Sequence, residues 1–223
     1  MYNKLKRIFD ILVSGISILI LSPLLIPVII GLRLTGEGYV WYKQERLGYR
    51  NKPFLIFKFA TMLKNSANMQ GGYITVKNDP RLTPMGDFLR KSKINELPQL
   101  FNIFAGSMSI VGPRPVMKVS FKAYPDHVKK VIYNVKPGLT GVGSIIFRDE
   151  EELITSVRNK GGDIHDFYVN KIYPHKGSLE LWYQKNKSLI LDFQIILLTA
   201  WVIFVPTSKL YEKWFKDLPK RNF

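Results

Sequence analysis

The chain has no cysteine, which excludes disulfides, thiolate metal sites and a cysteine nucleophile. Histidine is scarce, at 3 residues, and none has a second histidine at ligand spacing. A histidine-built metal centre is therefore not expected, and the loop Gly161-Gly162-Asp163-Ile164-His165-Asp166 reads as a surface turn. Acids are few as well: 17 Asp and Glu stand against 33 Lys and Arg, for a formal charge of +16. Such an excess calls for an anionic partner, and nucleic acid, an anionic membrane surface and a phosphorylated substrate all qualify. Apolar residues, by contrast, are plentiful at 46%. That combination favours a membrane over nucleic acid, because each Lys or Arg beside an anionic bilayer gains about 1 kcal/mol. At 223 residues the chain fits one domain plus appendages.

Lys4, Lys6 and Arg7 precede an apolar run from Ile11 to Leu32, which Arg33 closes. At about 1.5 Å per residue, roughly 22 residues just span a hydrocarbon core when straight. Ser22-Pro23 falls in the middle of the run and Pro27 one turn later. Each proline removes a helical hydrogen bond and presses on the preceding turn. Basic residues flank both ends, whereas cytoplasmic positive charge marks one end of a spanning helix. A helix–break–helix at Ser22 and Pro23 that enters the bilayer and returns to the same face satisfies both facts. Ser22 is placed to hydrogen-bond a freed carbonyl. The alternative is a single-span anchor with a kink. A cleaved signal peptide is disfavoured, since Asp10 interrupts the run and no small-x-small site follows. The division expected is residues 1–35 as the membrane hairpin and 36–223 as a domain on the cytoplasmic face.

Tyr39-Val40-Trp41-Tyr42 and Phe54-Leu55-Ile56-Phe57-Lys58-Phe59 flank a turn at Asn51-Lys52-Pro53 and read as a two-strand hairpin. Lys64 to Asp79, with Gly71-Gly72, lacks a period and reads as a mobile loop or lid. Phe121 to Tyr133 reads as a surface helix, and Lys136 to Ser144 as a glycine-rich loop able to approach an anion. Arg148-Asp149-Glu150-Glu151-Glu152 suits the first turn of a helix, with metal or substrate chemistry as the alternative. Leu189 to Val205 is apolar but has only about 13 uninterrupted residues after Gln194, which suits an interfacial or core helix. The tail from Trp214 to Phe223 has the aromatic and basic character of a headgroup contact. The class expected is α+β, mainly helical and monotopic in the membrane, with a small β-hairpin and interfacial amphipathic helices.

The stretch from Arg90 to Pro115 holds two arginines, a carboxylate and a carboxamide around an apolar helical segment. It closes on Gly112-Pro113-Arg114-Pro115, where two prolines stiffen the support of one guanidinium. A planar cation held rigidly suits bidentate recognition of phosphate. A proline-rich loop with a solvated arginine is the plainer alternative.

Together these segments resemble the bacterial sugar transferases, the small monotopic polyprenyl-phosphate phosphoglycosyl transferases. The resemblance covers nearly the whole chain. It rests on Lys6-Arg7-Ile8-Phe9-Asp10 with the Ser22-Pro23 break, Lys58-Phe59 with Thr61-Met62, and Leu89-Arg90. It rests equally on Glu96-Leu97-Pro98-Gln99-Leu100-Phe101-Asn102, Val111-Gly112-Pro113-Arg114-Pro115 and Pro137-Gly138-Leu139-Thr140-Gly141. What it implies is transfer of a sugar phosphate from a UDP-sugar to polyprenyl (undecaprenyl) phosphate, with release of UMP. The setting would be the cytoplasmic face of a bacterial inner membrane, in polysaccharide or glycoconjugate assembly. The partners implied are UDP-sugar, polyprenyl phosphate and membrane lipid, and no nucleic acid.

The family uses an Asp-Glu pair, the Asp as covalent nucleophile and the Glu beside Mg²⁺. By resemblance Glu96 takes the metal, Asn95 and Glu96 form the catalytic pair, and Arg90, Arg114 and Lys58 bind phosphate. The chain departs from the pattern at Asn95, where a carboxamide cannot act as that nucleophile. It departs also at Ala60, at Ser107 and at Val142-Gly143-Ser144. Three mechanisms remain open: Glu96 or an acid such as Asp149 or Glu150 replaces the nucleophile, the polyprenyl phosphate attacks directly, or the chain is an inactive scaffold or sugar-nucleotide-binding relative.

Overall fold

The computed structural model describes residues 1–69 and 79–223. The chain order is helix α1 (Tyr2–Leu34), strands β1 (Trp41–Leu47) and β2 (Pro53–Phe59), helices α2 (Gly86–Lys91) and α3 (Gln99–Ala105), and strand β3 (Ser109–Val111). Then follow short helices α4 (Lys118–Lys122) and α5 (Asp126–Lys129), strand β4 (Gly138–Thr140), and helices α6 (Val142–Ile146), α7 (Glu150–Asn159) and α8 (Ile164–Phe167). A π-helical turn (Tyr168–Ile172) leads into α9 (Tyr173–Asn186), and α10 (Leu189–Phe204) and α11 (Leu210–Trp214) complete the chain. The mainly helical α+β class and the hairpin are as expected: β1 and β2 pair antiparallel, with Tyr42 opposite Lys58.

Helix α1 is long and apolar enough to cross a membrane. The expected break does not interrupt it, for helical structure continues through Pro23 and Pro27. Pro23 cannot donate to the carbonyl of Leu19, and the Ser22 hydroxyl donates to that oxygen instead, at 2.9 Å. Both ends of α1 pack on the same body. Near its start, Asp10 is buried and accepts hydrogen bonds from Ser109 Oγ (3.0 Å) and the Ile110 N–H (2.9 Å) of β3. Arg7 donates to the carbonyls of Ile103 and Phe104, the open C-terminal end of α3. Near its finish, Leu25, Val28 and Leu32 pack with Phe59 and Leu89. Between these contacts Leu12, Ile16, Leu19, Ile20, Leu24 and Ile30 are exposed.

Helix α10 divides in the same way. Ile195, Leu198 and Val202 enter the main core while Ile190, Phe193 and Phe204 stay exposed, so it is at once a core helix and an apolar surface. Lys6 of α1 reaches Asp192 of α10 at 2.6 Å, and Tyr2 and Tyr183 donate to the same carboxylate.

Three further expectations change. The segment Phe121 to Tyr133 is not one surface helix, because Pro125 splits it into α4 and α5 and Tyr124, Val128, Ile132 and Tyr133 form a small core. The glycine-rich loop is no open anion cradle, since Gly138 begins β4, which pairs in parallel with β3. A Cβ on Gly138 would lie 2.1 Å from the Gly112 nitrogen and one on Gly141 2.3 Å from the Gly112 oxygen, so those glycines serve backbone-to-backbone contact. The tail is no free headgroup anchor: Phe215 and Leu218 are buried in the main core, and Arg221 binds Asp149. Of the expected lid, Gly71-Gly72 lies outside the described residues.

Candidate functional site

The site begins with how α3 docks. Lys93 takes a left-handed conformation (φ 61°), which turns the chain sharply out of α2 into the 3₁₀ turn Ile94–Glu96. Pro98 then caps α3. Asn102 completes the placement: its Oδ1 accepts from the Phe57 N–H at 3.0 Å and its Nδ2 donates to the Leu55 carbonyl at 2.8 Å. A carboxamide with one donor and one acceptor thus mimics a neighbouring strand and fixes the register of α3 against β2. The next inward residue of that strand, Lys58, is delivered beside Glu96.

From the other side comes Arg114. Its carbonyl accepts from the Tyr133 hydroxyl at 2.8 Å, and the same hydroxyl accepts from the Val116 N–H at 3.0 Å. The loop is therefore held by a buried phenol as well as by its prolines.

Lys58 Nζ and Arg114 Nη2 converge on one oxygen of Glu96, at 3.0 and 2.9 Å. Burial pushes the Glu96 carboxyl up, but Arg114 and Lys58 outweigh it and hold the group well below the usual carboxylate range. Burial lowers Lys58 to about 8, against the opposing pull of Glu96, and Arg114 and Arg46 lower it further. Arg46 on β1 is itself lowered to about 10 by burial and by Arg114, and its Nε is buried without a partner. Lys93 is lowered by burial and interacts with Glu96, Arg114 and Glu151. Arg46, Lys58, Lys93 and Arg114 thus gather around one largely buried carboxylate, with Arg114 and Lys93 themselves exposed. Positive charge in excess of its counter-ions, open to solvent at Arg114, is the electrostatic form of a site that admits a multivalent anion.

Asn95 is buried, and its Oδ1 has no hydrogen-bond partner. Arg90 is not in the Glu96 cluster; it pairs with Glu151 at 3.1 Å, at the edge of the site. The acidic run is the first turn of a helix, as the simpler reading held, yet its start also borders the site. Glu150 accepts from Lys176 (2.8 Å) and from the Tyr168 hydroxyl (3.0 Å), and Asp149 makes a two-pronged pair with Arg221. Ser22 and Pro23 lie in α1, apart from these groups. Sequence reasoning missed Arg46 and Lys93. For Lys93 the only signal was position, two residues before Asn95; Arg46 carried none that distinguishes it from a solvated charge.

A family model described as bacterial sugar transferase matches residues 1–206. The chain is 33% identical to an undecaprenyl-phosphate galactose phosphotransferase of Salmonella typhimurium, over 89% of this chain and 40% of that protein. It is 34% identical to an undecaprenyl-phosphate glucose phosphotransferase of Komagataeibacter xylinus, over 87% of this chain and 35% of that protein. It is also 33% identical to the exopolysaccharide production protein ExoY of Rhizobium meliloti, over 68% of this chain and 73% of that protein. The chain thus spans about two fifths of the length of the first of these relatives.

Proposed function

The chain belongs to the bacterial sugar transferase family, and from that premise we propose that it moves a sugar 1-phosphate from a UDP-sugar to polyprenyl phosphate and releases UMP. The observation that carries this reading is the ionised, largely buried Glu96 with Lys58 and Arg114 on one of its oxygens and further cations nearby. Relatives named for undecaprenyl-phosphate sugar phosphotransfer support it. In this reading Arg114, Lys58 and Lys93 hold the diphosphate, and Arg90 stands at the rim, exchanging Glu151 for a phosphate oxygen.

The oxygens present fit Mg²⁺. Among the described residues no group of three or more His, Asp or Glu could hold a metal unaided. Mg²⁺, however, commonly takes one or two carboxylates and completes its octahedron with water and substrate phosphates. Glu96 and the unpaired Asn95 Oδ1 are hard oxygens of that kind. Bound there, the ion would offset the diphosphate charge.

For the step itself we favour direct attack. Asn95 offers no carboxylate, Glu96 is held ionised by two cations, and Asp149, Glu150 and Glu151 are each engaged by a basic partner. An oxygen of the polyprenyl phosphate bonds to the sugar-bearing phosphorus, the bond from that phosphorus to the UMP oxygen breaks, and UMP leaves with the electron pair. The cations stabilise the charge that spreads over the transferring group.

The test is a panel of UDP-sugars with purified chain in nanodiscs, read by UMP release. One sugar should support turnover, and release should require both substrates. A stoichiometric burst of UMP without lipid acceptor would overturn direct attack. Asn95→Asp should introduce such a burst if a carboxylate there reopens the covalent route. Polyprenyl phosphate bound without UMP release from any sugar would favour the scaffold alternative.

Residues 1–35 are proposed to dip into one leaflet of the inner membrane from the cytoplasmic face, with residues 36–223 on that face. Contacts of both ends of α1 with one body support this, as does the exposed apolar surface between them. Labelling of single cysteines placed at Tyr2 and at Gly36 in intact spheroplasts should protect both from an impermeant reagent. Modification of one alone would show a helix that crosses.

A further inference from the structure

Two cations meet at the end of α3 farthest from Glu96. Glu96 lies just before the first turn of α3, and Gly106 closes the helix in the left-handed conformation (φ 90°). The 7 residues of helix between them make a separation of roughly 10 Å. A Cβ on Gly106 would lie 3.0 Å from Arg7 Nη2 and 3.4 Å from Lys136 Nζ, so both side chains converge on one small patch of backbone. Arg7 is held there by two neutral partners, the carbonyls of Ile103 (2.6 Å) and Phe104 (2.7 Å). Lys136, half-buried just ahead of β4, has neither a hydrogen bond nor a salt bridge on its ammonium among the described residues. The carboxylate that acts on it is Asp10, which is turned inward onto Ser109 and the Ile110 N–H. Lys6, beside Arg7 in sequence, is taken by Asp192. Burial lowers Lys136 and Arg7 lowers it further, so the cation stands where an added anion would favour it.

The surroundings of the pair are apolar and open. Phe104, whose carbonyl holds Arg7, has a ring 50% exposed that lies 3.4 Å from where a Cβ on Gly15 of α1 would stand. Ile8, Ile11 and Leu12 follow Arg7 along α1, and Phe101 precedes Phe104 by one turn on α3; all are exposed. Positive charge at the edge of an open apolar surface is the chemistry of a lipid phosphate above its acyl chains. A water-soluble phosphate would meet the cations and leave the apolar surface uncovered.

We propose that Arg7 and Lys136 form a seat for the phosphate of an anionic phospholipid, whose acyl chains lie against Phe104 and the exposed flank of α1. The seat is separate from the reaction centre. It rests on the membrane placement of α1 proposed above and not on the phosphotransfer chemistry. Lys136 brings an uncommitted ammonium, and Arg7 brings the N–H groups that its two carbonyl partners leave free. The lipid thereby supplies the counter-ion that the chain itself does not give Lys136.

The experiment is native mass spectrometry of the full chain released from detergent micelles supplied with phosphatidylglycerol or phosphatidylcholine. Wild type should retain phosphatidylglycerol in preference to phosphatidylcholine. Lys136→Gln should weaken that retention about tenfold and leave phosphatidylcholine unchanged, while Lys136→Arg keeps it. Lys209→Gln removes an exposed charge near the end of α10 and should change neither lipid, which separates a seat from general attraction to an anionic surface. Equal losses in Lys136→Gln and Lys209→Gln, or no loss in either, would overturn the assignment. So would glycerol 3-phosphate bound as tightly as the lipid. Binding of farnesyl phosphate lost in Lys136→Gln with phosphatidylglycerol still retained would give the pair to the acceptor and overturn it likewise. Should Lys136→Gln fail to fold, amine labelling of wild type must show Lys136 protected by phosphatidylglycerol and not by phosphatidylcholine. A chain that partitions into vesicles of neither lipid defeats the membrane placement. One that partitions into both, with Lys136→Gln indistinguishable from wild type, defeats the seat alone.

Discussion

Replacing Glu96 with glutamine lowers transfer on the order of 10²–10³-fold, the scale on which loss of one fixed electrostatic partner at a reacting phosphoryl or acyl centre is felt. The size follows from what Glu96 holds. One oxygen receives both Lys58 and Arg114, so a neutral amide releases two cations from their set positions at once. The variant also changes the pH profile in a definite direction. Lys58 sits at about 8, and the Glu96 charge is what raises it against burial and the neighbouring arginines. A lysine binds phosphate as the cation, so wild-type activity should fall as pH rises through about 8. Without Glu96 the lysine loses its proton earlier, and that limb moves to lower pH. The measurement is kcat/KM for UMP release across pH 6 to 9. Near-normal turnover, or an unmoved alkaline limb, would remove Glu96 from the centre.

The second large effect concerns attachment of α1. Asp192→Ala should destabilise the folded chain by about 3–5 kcal/mol, the cost of leaving one member of a buried ion pair uncompensated. Lys6, Tyr2 and Tyr183 all direct their donors at this carboxylate, and both charged side chains are largely buried (10% and 5% exposed). Replacing both charges with apolar groups, Lys6→Met with Asp192→Leu, should recover much of the loss, because neither ion then remains desolvated. Denaturant unfolding in a fixed detergent reads both results. A loss below about 1 kcal/mol in the single variant would make the pair a surface contact in energetic terms.

Much of the architecture could be read locally. An apolar run with basic ends, two β-prone segments around a turn, and a second apolar segment too short to span each announce themselves by period or length, and each is present. The approach of Lys58, Glu96 and Arg114 could be expected from the family resemblance, though not from spacing alone. What could not be read depends on distant parts of the chain meeting. Arg46 looks like any charged strand residue until β1 places it behind Arg114. Glu180 looks like an exposed helical acid until α9 packs against α6 and buries it. The glycines from Gly138 to Gly141 suggest an anion loop, because freedom of the backbone and close approach of two backbones call for the same residue. Pro125 was visible, but what turned the following residues inward was the small core around Tyr133, which has no local signature. Arg90 was grouped with Arg114 by sequence distance, whereas Glu151 draws it to the rim.

Asp10 has a consequence that extends past its own hydrogen bonds. It ties α1 to Ser109 and Ile110, and the chain runs on from that strand, through Gly112, to Arg114. If α1 lies in one leaflet as proposed, the depth at which its oily flank settles would set the height of the guanidinium over the lipid carbonyls. The helix would then work as a gauge, bringing within reach an acceptor phosphate that its lipid chain floats to that level.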